Sequence, residues 1–226
     1  MESDCLGDYY MNATSPWMEI DMTELEVIRS AYITLAKQTG QIVHREDHYT
    51  TVLFALLWPN LGARMSIATG LGLGPMLKQI GGGKSDELRK LYLPKTKDFY
   101  ADLVLTAPVG QTAPISMCGL DHFADRLPVT HLFEFKYLSS FKSMTRKHAR
   151  ADGYKLKILG DYIRAFSGKQ PYLEQVIFNF KHPEVKQKTV DQIAKWVNDE
   201  EYRRDTAGVS VVVVNADGTL HVVNQP

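Results

Sequence analysis

Alternating apolar and polar positions predict three β-strands between residues 99 and 180 and a hairpin near the end of the sequence. The strands are 99–106 (FYADLVLT), 131–138 (HLFEFKYL) and 175–180 (QVIFNF). Each is rich in aromatic and β-branched residues, which fit the pleated surface of a sheet. The segment 209–223 (VSVVVVNADGTLHVV) predicts two strands that turn at Asp217 and Gly218, a dipeptide typical of tight hairpins.

Apolar positions with a period near 3.6 predict four helices between and before these strands. The helices are 23–38, 41–58, 148–166 and 184–202, with the second ending before Pro59. This order predicts an α/β fold with a central mixed β-sheet flanked by helices. We expect one domain over 1–226, made of an N-terminal leader and helix (1–40), a core (41–180) and a C-terminal helix and hairpin (181–226).

The glycine-rich stretch 62–83 interrupts this pattern. Its GLGLG run invites comparison with phosphate-binding loops. It lacks a clear preceding strand and the GK[ST] ending that such loops need. We therefore expect a loop here, or a short helix at 75–80, rather than a nucleotide site.

Composition restricts the classes of protein that remain. The 226 residues are 44% apolar and 23% charged, which is typical of a globular chain, and the formal net charge is zero. A binding site for a polyanion would therefore be a local patch. Two cysteines are too few for a disulfide framework, and we see neither a signal peptide nor an apolar run that could span a membrane. We expect a cytoplasmic protein without a membrane partner.

Several charged residues occupy positions where the pattern predicts burial. Glu134 and Lys136 lie two residues apart in the strand 131–138, so they share one face, opposite the aromatic residues. Asp102 interrupts the strand 99–106. On helical wheels, Glu46 falls in the stripe of Ile42, Tyr49, Leu53 and Leu57, and Lys155 falls in the stripe of Ala151, Tyr154, Ile158, Leu159, Tyr162 and Phe166.

Each of these residues also has a simple structural interpretation. Glu134 and Lys136 could form a salt bridge on an exposed strand, and Asp102 could lie at a strand edge or turn. Glu46 could lie at the rim of the domain, and Lys155 could extend its ammonium to water. A buried charge needs a partner, a metal or a wet cleft, so a common site explains all of them together. Carboxylates beside lysines suit a hard divalent cation and a phosphate.

Asp102 followed by Glu134-Phe135-Lys136 resembles the D…(D/E)-x-K signature of the PD-(D/E)XK nuclease superfamily. HLFEFK resembles the strand that carries the family's E-x-K. ADGYKLKILGDYI resembles the helix that follows it, and HREDHYTTVLFALL resembles the first core helix. The likeness covers about residues 41–180. Ala101 stands where the family has proline, and 107–129 would be an insertion between the two strands.

The resemblance implies a restriction-endonuclease-like core and an Mg²⁺-dependent endodeoxyribonuclease, with Mn²⁺ as a substitute metal. Asp102 and Glu134 would bind the metal, with Glu46 as a third or water-mediated ligand. Lys136 would position the attacking water, and Lys155 would contact the scissile phosphate or support the site. The product would carry a 5′-phosphate. The substrate would be DNA, with RNA as the alternative, and the role would be in defence, restriction or repair.

A basic segment follows the E-x-K strand and predicts a nucleic-acid surface. Residues 136–157 hold seven lysines and arginines against the single acid Asp152. The predicted phosphate contacts are Lys142, Arg146, Lys147 and Arg150. The alternative is a solvated run of charge.

A second function from another class is also consistent with these residues. The same fold could be a catalytically silent module that binds nucleic acid or protein. The apolar hairpin 209–223 could then supply the edge for a homodimer or a partner protein.

Overall fold

A computed structural model of the chain describes residues 22–39, 46–62, 64–72, 100–106, 129–139, 144–167, 169–181 and 183–224. The helices are α1 (Met22–Thr39), α2 (Glu46–Leu61), α3 (Arg146–Ser167), α4 (Pro183–Val197) and α5 (Glu200–Asp205). The strands are β1 (Ser66–Gly72), β2 (Tyr100–Thr106), β3 (Val129–Leu138), β4 (Tyr172–Asn179), β5 (Val209–Asn215) and β6 (Leu220–Asn224). Within these residues, no helix has the length and apolar character needed to cross a membrane.

The strands of the described part form one mixed sheet whose spatial order follows the chain, from β1 to β6. Strand β2 pairs antiparallel with both β1 and β3, and β4 pairs parallel with both β3 and β5. Strand β6 returns antiparallel to β5. Parallel neighbours need a crossover. Helix α3 supplies it between β3 and β4, and α4 with α5 supply it between β4 and β5. The predicted α/β class with helices flanking a mixed sheet is confirmed.

Helices α1 and α2 cover one face of the sheet through an aromatic core. Phe133, Phe135 and Tyr137 of β3 point into this core, as their alternation predicted. The ring of Tyr32 from α1 meets Phe133 and Phe135 edge-on, with centroids 6.4 Å and 6.2 Å away. The ring of Tyr49 from α2 stacks on Tyr137 with centroids 3.5 Å apart. The aromatic side of β3 therefore determines where α1 and α2 pack.

Helices α3, α4 and α5 cover the opposite face. Ile177 and Val213 pack there against Ile193 of α4 and Tyr202 of α5. Helix α3 lies close to the turn after α5 at Gly153, where an added Cβ would be 2.7 Å from Cγ2 of Thr206. Only glycine fits this contact, so Gly153 fixes the depth at which α3 lies on the sheet.

Two predicted boundaries are wrong. Helix α2 does not end before Pro59 but contains it and continues to Leu61. Pro59 lies in the last turn on an exposed side, where water can hydrate the carbonyl that loses its N–H partner. The predicted helix 184–202 is two helices, because Asp199 caps α5 by accepting the N–H groups of Glu201 and Tyr202.

One strand was missed, and one helical face was assigned wrongly. Residues 66–72 (SIATGLG), expected to be a loop, form the edge strand β1, because pairing with β2 overrides the low strand propensity of glycine. The short helix expected at 75–80 lies outside the described residues. On α3, Ala151 and Tyr154 were placed in the apolar stripe. Both are exposed, because the buried face is centred on Ala149, Leu156 and Leu159.

A buried ionic cluster joins α1 to the middle of the sheet. Glu174 of β4 is fully buried, and its Oε2 lies 3.2 Å from Nη2 of Arg29. The hydroxyl of Tyr172 donates to the same oxygen at 2.7 Å, and that of Ser210 at 3.4 Å. A buried carboxylate that loses its cation is strongly destabilising. Arg29 is therefore a structural partner of Glu174.

We expect Arg29→Met to lower the free energy of unfolding by about 3 kcal/mol, since the charge of Glu174 then stays buried without a cation. Arg164→Met is the matched control, because Arg164 is 60% exposed and pairs with Asp161 at 3.6 Å. It should cost less than about 0.5 kcal/mol. Urea unfolding measures both. Equal losses for the two variants would contradict the assignment.

Candidate active site

Three charged side chains meet between β3 and α3. Glu134 and Lys136 project from β3 toward α3, and Lys155 projects from α3 toward the sheet. The Nζ of Lys155 lies 2.5 Å from Oε2 of Glu134, and the Nζ of Lys136 lies 3.8 Å from Oε1 of Glu134. The carboxylate of Glu134 thus lies between two ammonium groups. The helical wheel predicts that Lys155 faces the sheet, and strand alternation predicts that Glu134 and Lys136 share a face. The contacts agree with both predictions.

Glu134 has an unusual protonation equilibrium. Its side chain is almost completely buried, and this burial, together with the negative charge of Asp102, raises its pKa to about 8 although Lys155 acts in the opposite direction. Strongly raised carboxyl pKa values are concentrated at functional sites. Burial thus favours the protonated form of Glu134, whereas the ammonium of Lys155 favours the carboxylate.

Asp102 meets Glu134 across the two neighbouring strands. Leu103 of β2 pairs with Phe133 of β3 in antiparallel register, so Asp102 lies opposite Glu134. The Oδ2 of Asp102 accepts the backbone N–H of Phe135 at 2.8 Å. The two acids therefore belong to one site, although residues 107–128, which lie outside the described residues, separate their strands in the chain.

 

Asp152 also belongs to this site, although it is not among the residues predicted from the sequence. Its Oδ2 lies 3.4 Å from the Nζ of Lys136, and its charge also raises the pKa of Glu134. Asp152 precedes Lys155 by one helical turn, so the two side chains share a side of α3. That spacing was the available signal, but Asp152 was counted only as the single acid of a basic segment.

Gln175 and Tyr202 form a buried polar support beside Glu134. Gln175 of β4 pairs in register with Glu134 and is fully buried. Its Nε2 donates to the carbonyl of Ala149 at 3.1 Å, and the hydroxyl of Tyr202 donates to its Oε1 at 2.9 Å. Burial raises the pKa of Tyr202, so this hydroxyl stays protonated. The network joins β4, α3 and α5 directly behind the charged side chains.

Glu46 is the first residue of α2, and its side chain lies outside the part of the chain that can be described. Helix α2 packs on the aromatic face of β3, whereas Glu134 points to the opposite face. The two helices that were expected to flank a common site therefore lie on opposite sides of the sheet. A role for Glu46 as a ligand stays a prediction.

The predicted phosphate-binding residues are largely paired with acids. Arg146 contacts Asp199 and Glu201, and Arg150 contacts Glu201 and Asp205. Asp199 caps α5, and Glu201 and Asp205 belong to this helix. All three lie more than fifty residues after the arginines that they contact in the sequence. Lys147 is exposed, and Lys142 lies outside the described residues. The basic segment is therefore less positive in the folded protein than in the sequence.

The site offers a hard cation a small set of carboxylate ligands. Asp102 and Glu134 supply carboxylate oxygens from adjacent strands. Among the described residues, however, no group of three or more His, Cys, Asp or Glu side chains is arranged to hold a metal ion. Mg²⁺ commonly uses one or two carboxylates and keeps several waters, so a two-carboxylate set fits it.

Comparisons with known proteins provide no family for this chain. No family model matches it, and neither a curated protein nor a solved structure does. The likeness to PD-(D/E)XK nucleases therefore stays a prediction from the motif residues.

We expect Glu134→Gln to change how stability depends on pH. Glutamine resembles the protonated acid, so the two proteins should be similarly stable near pH 4.5. Because the folded-state pKa of Glu134 is raised to about 8, the wild type should lose stability relative to the variant as pH rises between these values. The slope is at most about 1.4 kcal/mol per pH unit. Urea unfolding at several pH values measures it, and parallel curves for the two proteins would contradict the raised pKa.

Proposed function

We propose that this protein is a metal-dependent phosphodiester hydrolase that cleaves DNA. The observation that carries the proposal is the position of Glu134, which is buried, faces Asp102 and lies between Lys136 and Lys155. Taking a carboxylate and two ammonium groups out of water costs free energy that packing alone does not require. A site that binds a cation and a phosphate is a reason for such a cluster.

The chemistry that Mg²⁺ or Mn²⁺ supplies when bound is to lower the pKa of water and to offset charge on the phosphate. Asp102 and Glu134 are the residues that would hold it. Lys155 contacts Oε2 of Glu134, so its ammonium would lie beside a cation held there and would be placed to contact a phosphate oxygen. Lys136 lies close enough to the same carboxylate to orient the attacking water.

The catalytically silent binding module is the second candidate, and one observation favours it. Lys155 already neutralises Glu134 at 2.5 Å, and no third metal-ligating side chain joins Asp102 and Glu134 among the described residues. In such a module the ion pairs between β3 and α3 would only fix the position of α3 on the sheet. Binding without cleavage distinguishes this candidate from the hydrolase.

The direct test of the hydrolase is cleavage of duplex DNA, single-stranded DNA and RNA with Mg²⁺, with Mn²⁺ and with EDTA. We expect metal-dependent cleavage of DNA that leaves 5′-phosphates, detected by ligation of the products. Glu134→Gln and Lys136→Met should each lower kcat by about 100-fold or more, because each removes a group that acts on the water or the metal.

Lys157→Met is the matched control for the lysine variant. Lys157 is on α3 and pairs with Asp161, away from Glu134. Its kcat should stay within about twofold of wild type, as a surface change away from the chemistry predicts. A wild type that binds DNA but never cleaves it would favour the silent module. Undiminished cleavage by Glu134→Gln would exclude this site as the catalytic one.

The acids of α5 should limit DNA binding by Arg146 and Arg150. Glu201 is half-exposed and contacts both arginines, at 3.2 Å and 2.6 Å. We expect Glu201→Gln to bind DNA more tightly and to increase the slope of log K against log salt by about one, since an arginine becomes available to a phosphate. Fluorescence anisotropy at several salt concentrations measures both quantities.

Glu200→Gln controls for net charge, because Glu200 is an exposed neighbour in the same helix. If both variants change the affinity and the slope equally, only the overall charge matters. The specific effect of the Arg146 and Arg150 pairs would then be refuted.

A further inference from the structure

We propose that Asp152 is a positioning residue that holds the ammonium group of Lys136 in the active site. This inference rests on the proposed function, in which Lys136 orients the attacking water. It adds a residue that the D…(D/E)-x-K pattern does not contain.

The distances favour Asp152 over Glu134 as the residue that orients Lys136. Of these two carboxylates, Asp152 is nearer, with Oδ2 at 3.4 Å from the Nζ of Lys136, against 3.8 Å for Oε1 of Glu134. Glu134 makes its shorter contact with Lys155, at 2.5 Å. Charges therefore alternate from Lys155 through Glu134 and Lys136 to Asp152.

Asp152 is itself held at a fixed place on the sheet. It precedes Gly153, the residue at which α3 comes close to Thr206. The carbonyl of Ala149, one turn earlier, accepts the amide of the buried Gln175. The side chain of Asp152 is only 18% exposed. A carboxylate on a helix fixed at two points is a well-defined anchor for a flexible lysine.

This arrangement has a consequence for the reaction cycle. A carboxylate that binds a cation attracts a neighbouring ammonium less strongly, so Glu134 acting as a metal ligand would attract Lys136 less than it does here. Asp152 is not needed as a ligand and can keep the ammonium in place. Lys136 would then stay oriented in the state in which it acts.

The test compares Asp152→Asn with Asp161→Asn, a matched loss of one acid from the same helix. Asp161 pairs with Lys157 rather than with Lys136. Lysine-amine NMR on ¹⁵N-labelled protein reports the Lys136 ammonium directly, with Lys136→Arg to assign the signal. We expect the signal to be protected from water exchange in wild type and in Asp161→Asn, and to be lost in Asp152→Asn.

Kinetics supply the second readout. Asp152→Asn should lower kcat by about 100-fold with KM for DNA unchanged, since misplacing a catalytic group affects the chemical step. Asp152→Glu, which keeps the charge, should recover most of the kcat and the protected signal. Asp161→Asn should leave both parameters near wild type. Melting temperatures should be similar for the two asparagine variants.

The two readouts separate the inference from the function on which it rests. A Lys136 signal that stays protected in Asp152→Asn overturns the positioning role, whatever the activity. An inactive wild type with a signal that depends on Asp152 overturns the hydrolase proposal but keeps the contact. A fall in kcat that Asp161→Asn shares would mean a general effect on α3 and would also overturn the positioning role.

Discussion

Strand β3 has helices against both of its faces, so each of its side chains must find its partners inside the protein. Alternation directs Phe133 and Phe135 to one helical layer and Glu134 and Lys136 to the other. The aromatic face needs only shape and area. The charged face needs opposite charges at defined places, and α3 supplies them. The position of α3 is therefore determined by electrostatics as well as by apolar packing.

Each face of the sheet contains a buried glutamate, and the groups around the two carboxylates differ. Glu174 receives an arginine and two hydroxyl groups on a single oxygen, which is a stable internal anchor. Glu134 lies between lysines, faces Asp102 and has a pKa raised to about 8. The two glutamates are similarly buried, so the difference between them lies in the neighbouring charges and not in the burial.

Local patterns were sufficient for most elements and for the contacts within one short stretch of chain. The alternation of apolar and polar residues predicted β3, and helical spacing predicted that Lys155 faces it. Strand β1 was missed because its glycines carry no strand signal, and its pairing with β2 and the burial of Ile67 are tertiary contacts. The partners of Arg146 and Arg150 were missed because they lie more than fifty residues away. Such pairings depend on tertiary packing, which a single sequence does not display.

The order of strands in the sheet has a consequence for biosynthesis. Because neighbours in the sheet are also consecutive in the chain, β2 and β3 can pair before the later strands leave the ribosome. At that stage Glu134 and Lys136 face water, since α3 has not yet covered them. Docking of α3 is the step that dehydrates Glu134, and it brings Lys155 as the counter-charge in the same event. In this order of folding, the carboxylate of Glu134 leaves water only together with the ammonium of Lys155.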